Sequence, residues 1–166
     1  MNIRRASPVD AAALVAHIKG IVSEPVRTAP LDPDEVMTVE QERALIEQFA
    51  SSERAIMLVA EDGGEIVGDL TLRAISPRRA LQHVASLGMS VRASHRRRGI
   101  GRALLEAGIE WARGIAITRL ELYVFADNAP AIALYEALGF QHEGRRKNFV
   151  RFGDHYVDDL VMAREP

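Results

Sequence analysis

Val91-Arg92-Ala93-Ser94-His95-Arg96-Arg97-Arg98-Gly99-Ile100-Gly101-Arg102-Ala103-Leu104-Leu105 is the stretch on which the fold turns. A strand-like run, His83 to Val91, precedes it, and a helical pattern from about Gly99 to Ala116 follows, so the segment reads as strand, turn, helix. Glycine has no Cβ, and the first turn of a helix offers free N–H groups and the positive end of its dipole. A polyanion can therefore approach this backbone closely. No Gly-Lys-Ser/Thr follows, which excludes a Walker loop, and one glycine of Gly-x-Gly-x-x-Gly is missing, which argues against a dinucleotide fingerprint. Taken alone, Arg92, Arg96, Arg97, Arg98 and Arg102 fit a solvated basic turn or a nucleic-acid contact as well as a phosphate cradle.

Outward from this turn, helices and strands alternate. Ile3 to Arg5 reads as a first strand, and Ser7-Pro8-Val9-Asp10 as a capped start of a helix running to about Gly20. Three prolines between Pro25 and Asp34 force a long loop. Thr38-Val39-Glu40-Gln41 caps a second helix that ends near Ser51. Strands Ala55 to Glu61 and Glu65 to Arg73 form a hairpin about Asp62-Gly63-Gly64. A strand from Arg119 to Phe125 turns Leu120, Leu122 and Val124 to one face, and Asp127-Asn128-Ala129-Pro130 opens a helix that Gly139 ends. Strands Phe140 to Arg146 and His155 to Ala163 close the chain around a turn at Gly153-Asp154.

The 166 residues are of single-domain length, and no repeat or linker divides residues 1–166. With 48% hydrophobic and 27% charged residues the chain can bury a core and is not a disordered polyelectrolyte. Its 21 Lys+Arg against 23 Asp+Glu give a formal charge of −2, which disfavours a nucleic-acid binder. The absence of cysteine excludes disulfides, thiolate metal sites and a sulfur nucleophile. Neither a signal peptide nor a membrane span is legible, so no membrane partner and a cytoplasmic location are expected.

A second motif decides between readings of the turn: Asn128-Ala129-Pro130-Ala131-Ile132-Ala133-Leu134-Tyr135-Glu136-Ala137-Leu138-Gly139-Phe140. Asn128 suits an N-cap, and Tyr135 lies two helical turns along the same face. Together the two motifs resemble the GNAT family of N-acetyltransferases, whose pattern is Arg/Gln-x-x-Gly-x-Gly after the fourth strand and Asn-x-x-Ala-x-x-x-Tyr-x-x-x-Gly-Phe later. The match runs from about His83 to Phe140; the first half agrees in element order. The resemblance implies an α/β acyl-CoA acyltransferase fold with a mixed, mainly antiparallel sheet flanked by helices.

It also implies an acetyl-CoA site and no metal. Arg96, Arg97, Arg98, Gly99, Ile100, Gly101 and Arg102 would hold the pyrophosphate. Met89, Ser90 and Val91 would pair with the pantetheine arm where the fourth strand splays from the fifth, and Asn128 would contact that arm. Tyr135 would give a proton to the departing thiolate, since a phenol with a pKa near ~10 stays protonated at neutral pH. The reaction would be direct attack of a neutral amine on the thioester through a tetrahedral oxyanion, steadied by a backbone N–H near Met89 or Val91. For the general base the family's fourth-strand glutamate is missing, leaving His83, with Ser86 as a relay, and Glu121 and Glu24 as further candidates. Glu24, Glu121 and Tyr156 are also expected to bind substrate. The loop from Gly20 to Met37, with Asp32, Asp34 and Glu35, is expected to wall the acceptor site against a cation, and Phe149 could line it. The expected acceptor is a primary amine of a small molecule, amino acid-like or antibiotic-like. Rivals are a protein N-terminus or lysine and a catalytically silent acyl-CoA sensor. A homodimer is compatible with the sequence.

Overall fold

The computed structural model describes all residues, Met1–Pro166. Its strands are β1 (Asn2–Arg5), β2 (Ala55–Asp62), β3 (Glu65–Ala74), β4 (Val84–Val91), β5 (Arg119–Phe125), β6 (Gln141–Phe152) and β7 (His155–Arg164). They form one sheet in the order β1-β2-β3-β4-β5-β7-β6. Every neighbouring pair is antiparallel except β4 and β5. A parallel pair needs a crossover, and α3 (Ile100–Gly114) supplies it. The other helices are α1 (Ala11–Val22), α2 (Val39–Ala50) and α4 (Ala129–Ala137).

Side-chain alternation builds three layers. In β2, Ile56, Leu58 and Ala60 join the core under α3, whereas Ala55, Met57 and Val59 join a smaller core with Leu14 of α1 and Ile46 and Phe49 of α2. A strand buried on both faces is a continuous apolar run, which is how Ala55 to Ala60 reads. On α3, Ile100, Leu104, Leu105, Ile109 and Ala112 make the helical stripe that meets the sheet.

Two boundaries differ from the sequence reading. Ser7 opens a 3-10 turn, Pro8–Asp10, and α1 begins only at Ala11 and continues past Gly20 to Val22. Burial of Ile21 and Val22 offsets the ~1 kcal/mol cost of a mid-helix glycine. The second difference is β6, which runs to Phe152 rather than Arg146, because a bulge between Arg146 and Val150 lets a polar, irregular stretch remain paired. Elsewhere local chemistry acts as expected. The Thr38 Oγ1 accepts from Gln41 N–H at 3.3 Å while Gln41 Oε1 accepts from Thr38 N–H at 2.9 Å. Gly63 and Gly64, at φ 61° and 85°, make the β2–β3 turn. No helix is long and apolar enough to cross a membrane.

Candidate active site

Strands β4 and β5 pair over only three residues, Val84↔Arg119, Ala85↔Leu120 and Ser86↔Glu121. Beyond that row β4 stays bonded to β3 as far as Val91, and β5 to β7 as far as Phe125. Leu87–Val91 and Leu122–Phe125 therefore diverge into a V with no ladder between them. Backbone edges left unpaired inside a sheet are costly unless a polar chain occupies the gap, so this cleft suits an extended ligand carrying amides.

At the open end of the V stands the arginine turn. Arg97 and Gly99 take positive φ, 62° and 82°. From Arg97 to Arg102 no backbone N–H finds a protein acceptor. Six free donors in succession at a helix N-terminus are the chemistry that suits an anion. The arginine side chains are mostly engaged: Arg96 donates to Val91 O at 2.9 Å and to Glu24 Oε2 at 2.5 Å, Arg98 to Asp62 at 2.9 Å, and Arg102 faces Glu106 at 3.4 Å. Arg97 is exposed and has no side-chain partner. Gly101 is constrained by packing as well as by approach, since a Cβ there would lie 3.0 Å from Leu134 Cδ2 and 3.4 Å from Met89 Cε.

That same contact docks α4 beside the cleft. Asn128 Oδ1 caps α4 by accepting from Ala131 N–H at 3.3 Å, and Gly139 at φ 84° ends it while Phe140 N–H returns to Tyr135 O. Tyr135 is 6% exposed, packs edge-on to Phe140 at 5.7 Å, and has no protein hydrogen-bond partner for its hydroxyl. Burial pushes its pKa up to about 12.

Ser86 and Glu121 meet at the vertex of the V, on the face opposite Ala85, Leu87, Leu120 and Leu122. The remaining candidates are elsewhere. His83 is exposed just before β4, at the end of the strand opposite the arginine turn, so β4 separates it from the cradle. Glu24 braces the arginine turn, accepting from Ala93 N–H at 3.1 Å and from Arg96. Tyr156 is exposed beside the β6–β7 turn, paired across to Arg151. Two of the loop carboxylates are also engaged, Asp32 by Arg27 and Glu35 by Asp32 N–H at 2.8 Å.

A buried polar row on the α1 side went unread in the sequence. His17 is fully buried with Nε2 2.7 Å from Ser90 Oγ, and Ser90 donates to Asp69 Oδ1 at 2.6 Å. The Ser90 proton being committed to Asp69, Oγ accepts from His17 Nε2–H, and His17 Nδ1 is left without a partner. Glu42, also buried, has its pKa raised by desolvation and then by the Asp69 charge. The available signal was polar residues at core positions: His17 lies three after Leu14 and four before Ile21, on the apolar face of α1.

Comparison with known proteins identifies the family and the fold. The profile of the family described as "Acetyltransferase (GNAT) family" matches residues 23–140. An L-amino acid N-acetyltransferase of Escherichia coli (strain K12) is 40% identical over 123 residues, 71% of this chain and 73% of that protein. The E. coli ribosomal protein bS18-alanine N-acetyltransferase is 39% identical over 83 residues, 50% of this chain and 56% of its own length. Among solved structures, a GNAT-family acetyltransferase from Streptococcus pneumoniae superposes with a TM-score of 0.90 at 32% identity, covering 99% of this chain and 98% of that one. A ribosomal-protein-alanine N-acetyltransferase from Brucella melitensis gives 0.88 at 28%, with both chains fully covered.

Proposed function

This chain belongs to the GNAT family of acetyltransferases and is an N-acetyltransferase, and from that premise we propose that it moves an acetyl group from acetyl-CoA to the primary amine of a small, amino acid-like molecule in the cytoplasm. The observation that carries the donor assignment is the run of unpaired N–H groups from Arg97 to Arg102 opening onto the unpaired edge of β4. Pyrophosphate fits the first and the pantetheine amides fit the second.

Acetyl-CoA supplies an activated acyl group as a thioester. The chain's own residues bind and orient it: the turn holds the phosphates, Met89, Ser90 and Val91 present backbone to the arm, and Asn128 keeps α4 in place. The Tyr135 hydroxyl gives its proton to the sulfur as the C–S bond breaks. Glu121 at the vertex, with Ser86 beside it, takes one proton of the incoming ammonium, so the nitrogen attacks as a neutral amine; the second N–H proton, shed as the tetrahedral intermediate collapses to the amide, makes good the one Tyr135 gives to sulfur. The oxyanion is met by a backbone N–H of β4.

Sequence identity over 71% of the chain to an enzyme named for L-amino acids favours a small acceptor. The similarity to bS18-alanine acetyltransferases supports a second reading, a protein N-terminus. Thiol release from acetyl-CoA should be followed with free amino acids, other small amines and alanine-initiated peptides. Turnover with free amino acids at low millimolar concentration is expected; turnover confined to peptides replaces the first reading with the second.

A further inference from the structure

On the sheet face opposite α3, α1 packs against β3 and α2 against β2. Toward β5, β7 and β6 that face presents instead Tyr123, Phe125, Asp159 and Arg146. Leu122 and Val124 point into the α3 core, so Tyr123 and Phe125 must point the other way. Asp159 stands across β7 from Phe125 and across β6 from Arg146.

Arg146 is held from three sides. Its Nε donates to Asp159 Oδ1 at 2.7 Å, and Nη2 bonds the other oxygen of that buried carboxylate. Its guanidinium carbon lies 4.1 Å from the Tyr123 ring centroid and 3.5 Å from that of Phe149. Phe149 reaches this position because β6 bulges between Arg146 and Val150, with Asn148 at φ 51° and its N–H on Asp158 Oδ1 at 2.7 Å. The exposed Phe149 is thus a built wall and not a stray surface ring. Two of the five N–H donors of Arg146 are spent on Asp159, and Nη1 has no protein partner although a third of the side chain is accessible. A planar cation fixed in orientation with one edge free matches a second carboxylate.

Two of the carboxylates expected to select a cation are already paired. Asp32 is neutralised by Arg27, whose guanidinium covers Phe152 at 4.4 Å, and Phe152 meets Phe125 edge-on at 6.1 Å. Glu24 is spent on the arginine turn.

We propose that Arg146 anchors the carboxylate of the acceptor, so that the enzyme selects amines bearing a carboxylate, free α-amino acids above all, over their amides and over simple alkylamines. The inference rests on the transferase reading above and narrows it. Asp159 orients the guanidinium, Tyr123 and Phe149 stack on it and shield it, and the free Nη1 edge receives the acid while the amine is directed at the V.

The test compares matched acceptors on the intact enzyme with acetyl-CoA: a set of amino acids of apolar, polar and charged side chain, their carboxamides, and the corresponding decarboxylated amines. A hydrogen-bonded charge pair predicts kcat/KM about 10- to 100-fold higher for the acids. Because Arg146→Gln alone would leave Asp159 buried and unpaired, the variant to use is Arg146→Gln with Asp159→Asn, checked for folding by its melting transition. It should abolish the preference by raising KM for the acid to that for its amide, whereas Arg146→Lys should keep part of it. Calorimetric binding of the best acid in the presence of CoA should weaken in parallel. Equal rates for acids and amides in the wild type, or a preference that survives in the folded double variant, overturn the carboxylate anchor and leave the transferase reading standing. Transfer to none of these amines overturns the anchor together with the small-molecule acceptor reading on which it rests.

Discussion

Tyr135 carries one hydroxyl in an apolar site, and no protein group bonds it. Removing that hydroxyl leaves no partner unsatisfied, so Tyr135→Phe should hardly move the melting temperature. If the hydroxyl protonates the leaving sulfur, kcat should fall by about 100-fold, the low end for a general acid because a CoA thiolate already departs readily, with acetyl-CoA binding nearly intact. With its pKa pushed up to about 12 by burial, the phenol stays protonated through the working range, and no descending limb below pH ~10 should belong to it. Wild-type kcat in Tyr135→Phe, under conditions where chemistry limits the rate, would reduce the residue to a wall. The same scale explains what the sequence left unread. Glu24 looks like any loop carboxylate until Arg96 and Ala93 come to meet it across some seventy residues of chain.

At the scale of elements, the junction of α3, α4 and β4 is the sensitive one. Gly101→Ala would place a Cβ 3.0 Å from Leu134 Cδ2, forcing a flexible side-chain end to give by a few tenths of an ångström. That crowding costs about 1 kcal/mol. Alanine's better helix propensity returns a similar amount, ~1 kcal/mol. The variant should therefore melt close to wild type while its KM for acetyl-CoA rises, because the methyl also stands beside the proposed phosphate cradle. Gly101→Val adds β-branched bulk against Leu134 and Met89 and should lose stability too. Unchanged CoA affinity in a folded Gly101→Ala protein would remove the cradle assignment. Element identity was legible where local chemistry dictates it, as in the Thr38 capping box, the Gly63-Gly64 turn and Gly139 after α4. It was not legible in β6, whose bulge is stabilised by Asp158 from another strand.

Over the whole molecule, pH acts on ion pairs that join elements. Asp10 accepts from both terminal nitrogens of Arg4, at 2.7 and 2.8 Å, and from Ser7, tying β1 to the entry of α1. The Arg4 hydrogen bonds, aided by those of Ser7 and working against desolvation, hold its pKa down at about 2. A depressed carboxylate pKa means the stabilisation is present above the unfolded value near ~4 and is lost as pH falls through about 2. Discounting for the partial exposure of Arg4, its worth is about 1–2 kcal/mol. Urea midpoints should therefore converge for wild type and Asp10→Asn as pH drops from 4 to 2 and differ at pH 7. Parallel curves across that window would show that the pair contributes nothing.

The sequence by itself determined the alternating α/β order, the turn at Arg96 to Gly101 and the capped helix carrying Tyr135, since glycine, proline and capping residues act through neighbours a few positions away. Tertiary structure alone decided where β4 and β5 part, which arginines are spent on carboxylates, and that His17, Ser90 and Asp69 form a buried row. Those outcomes depend on partners up to 73 residues apart in the chain. Hydrogen bonds and charges of that kind depend on distance in space, which composition and periodicity do not encode.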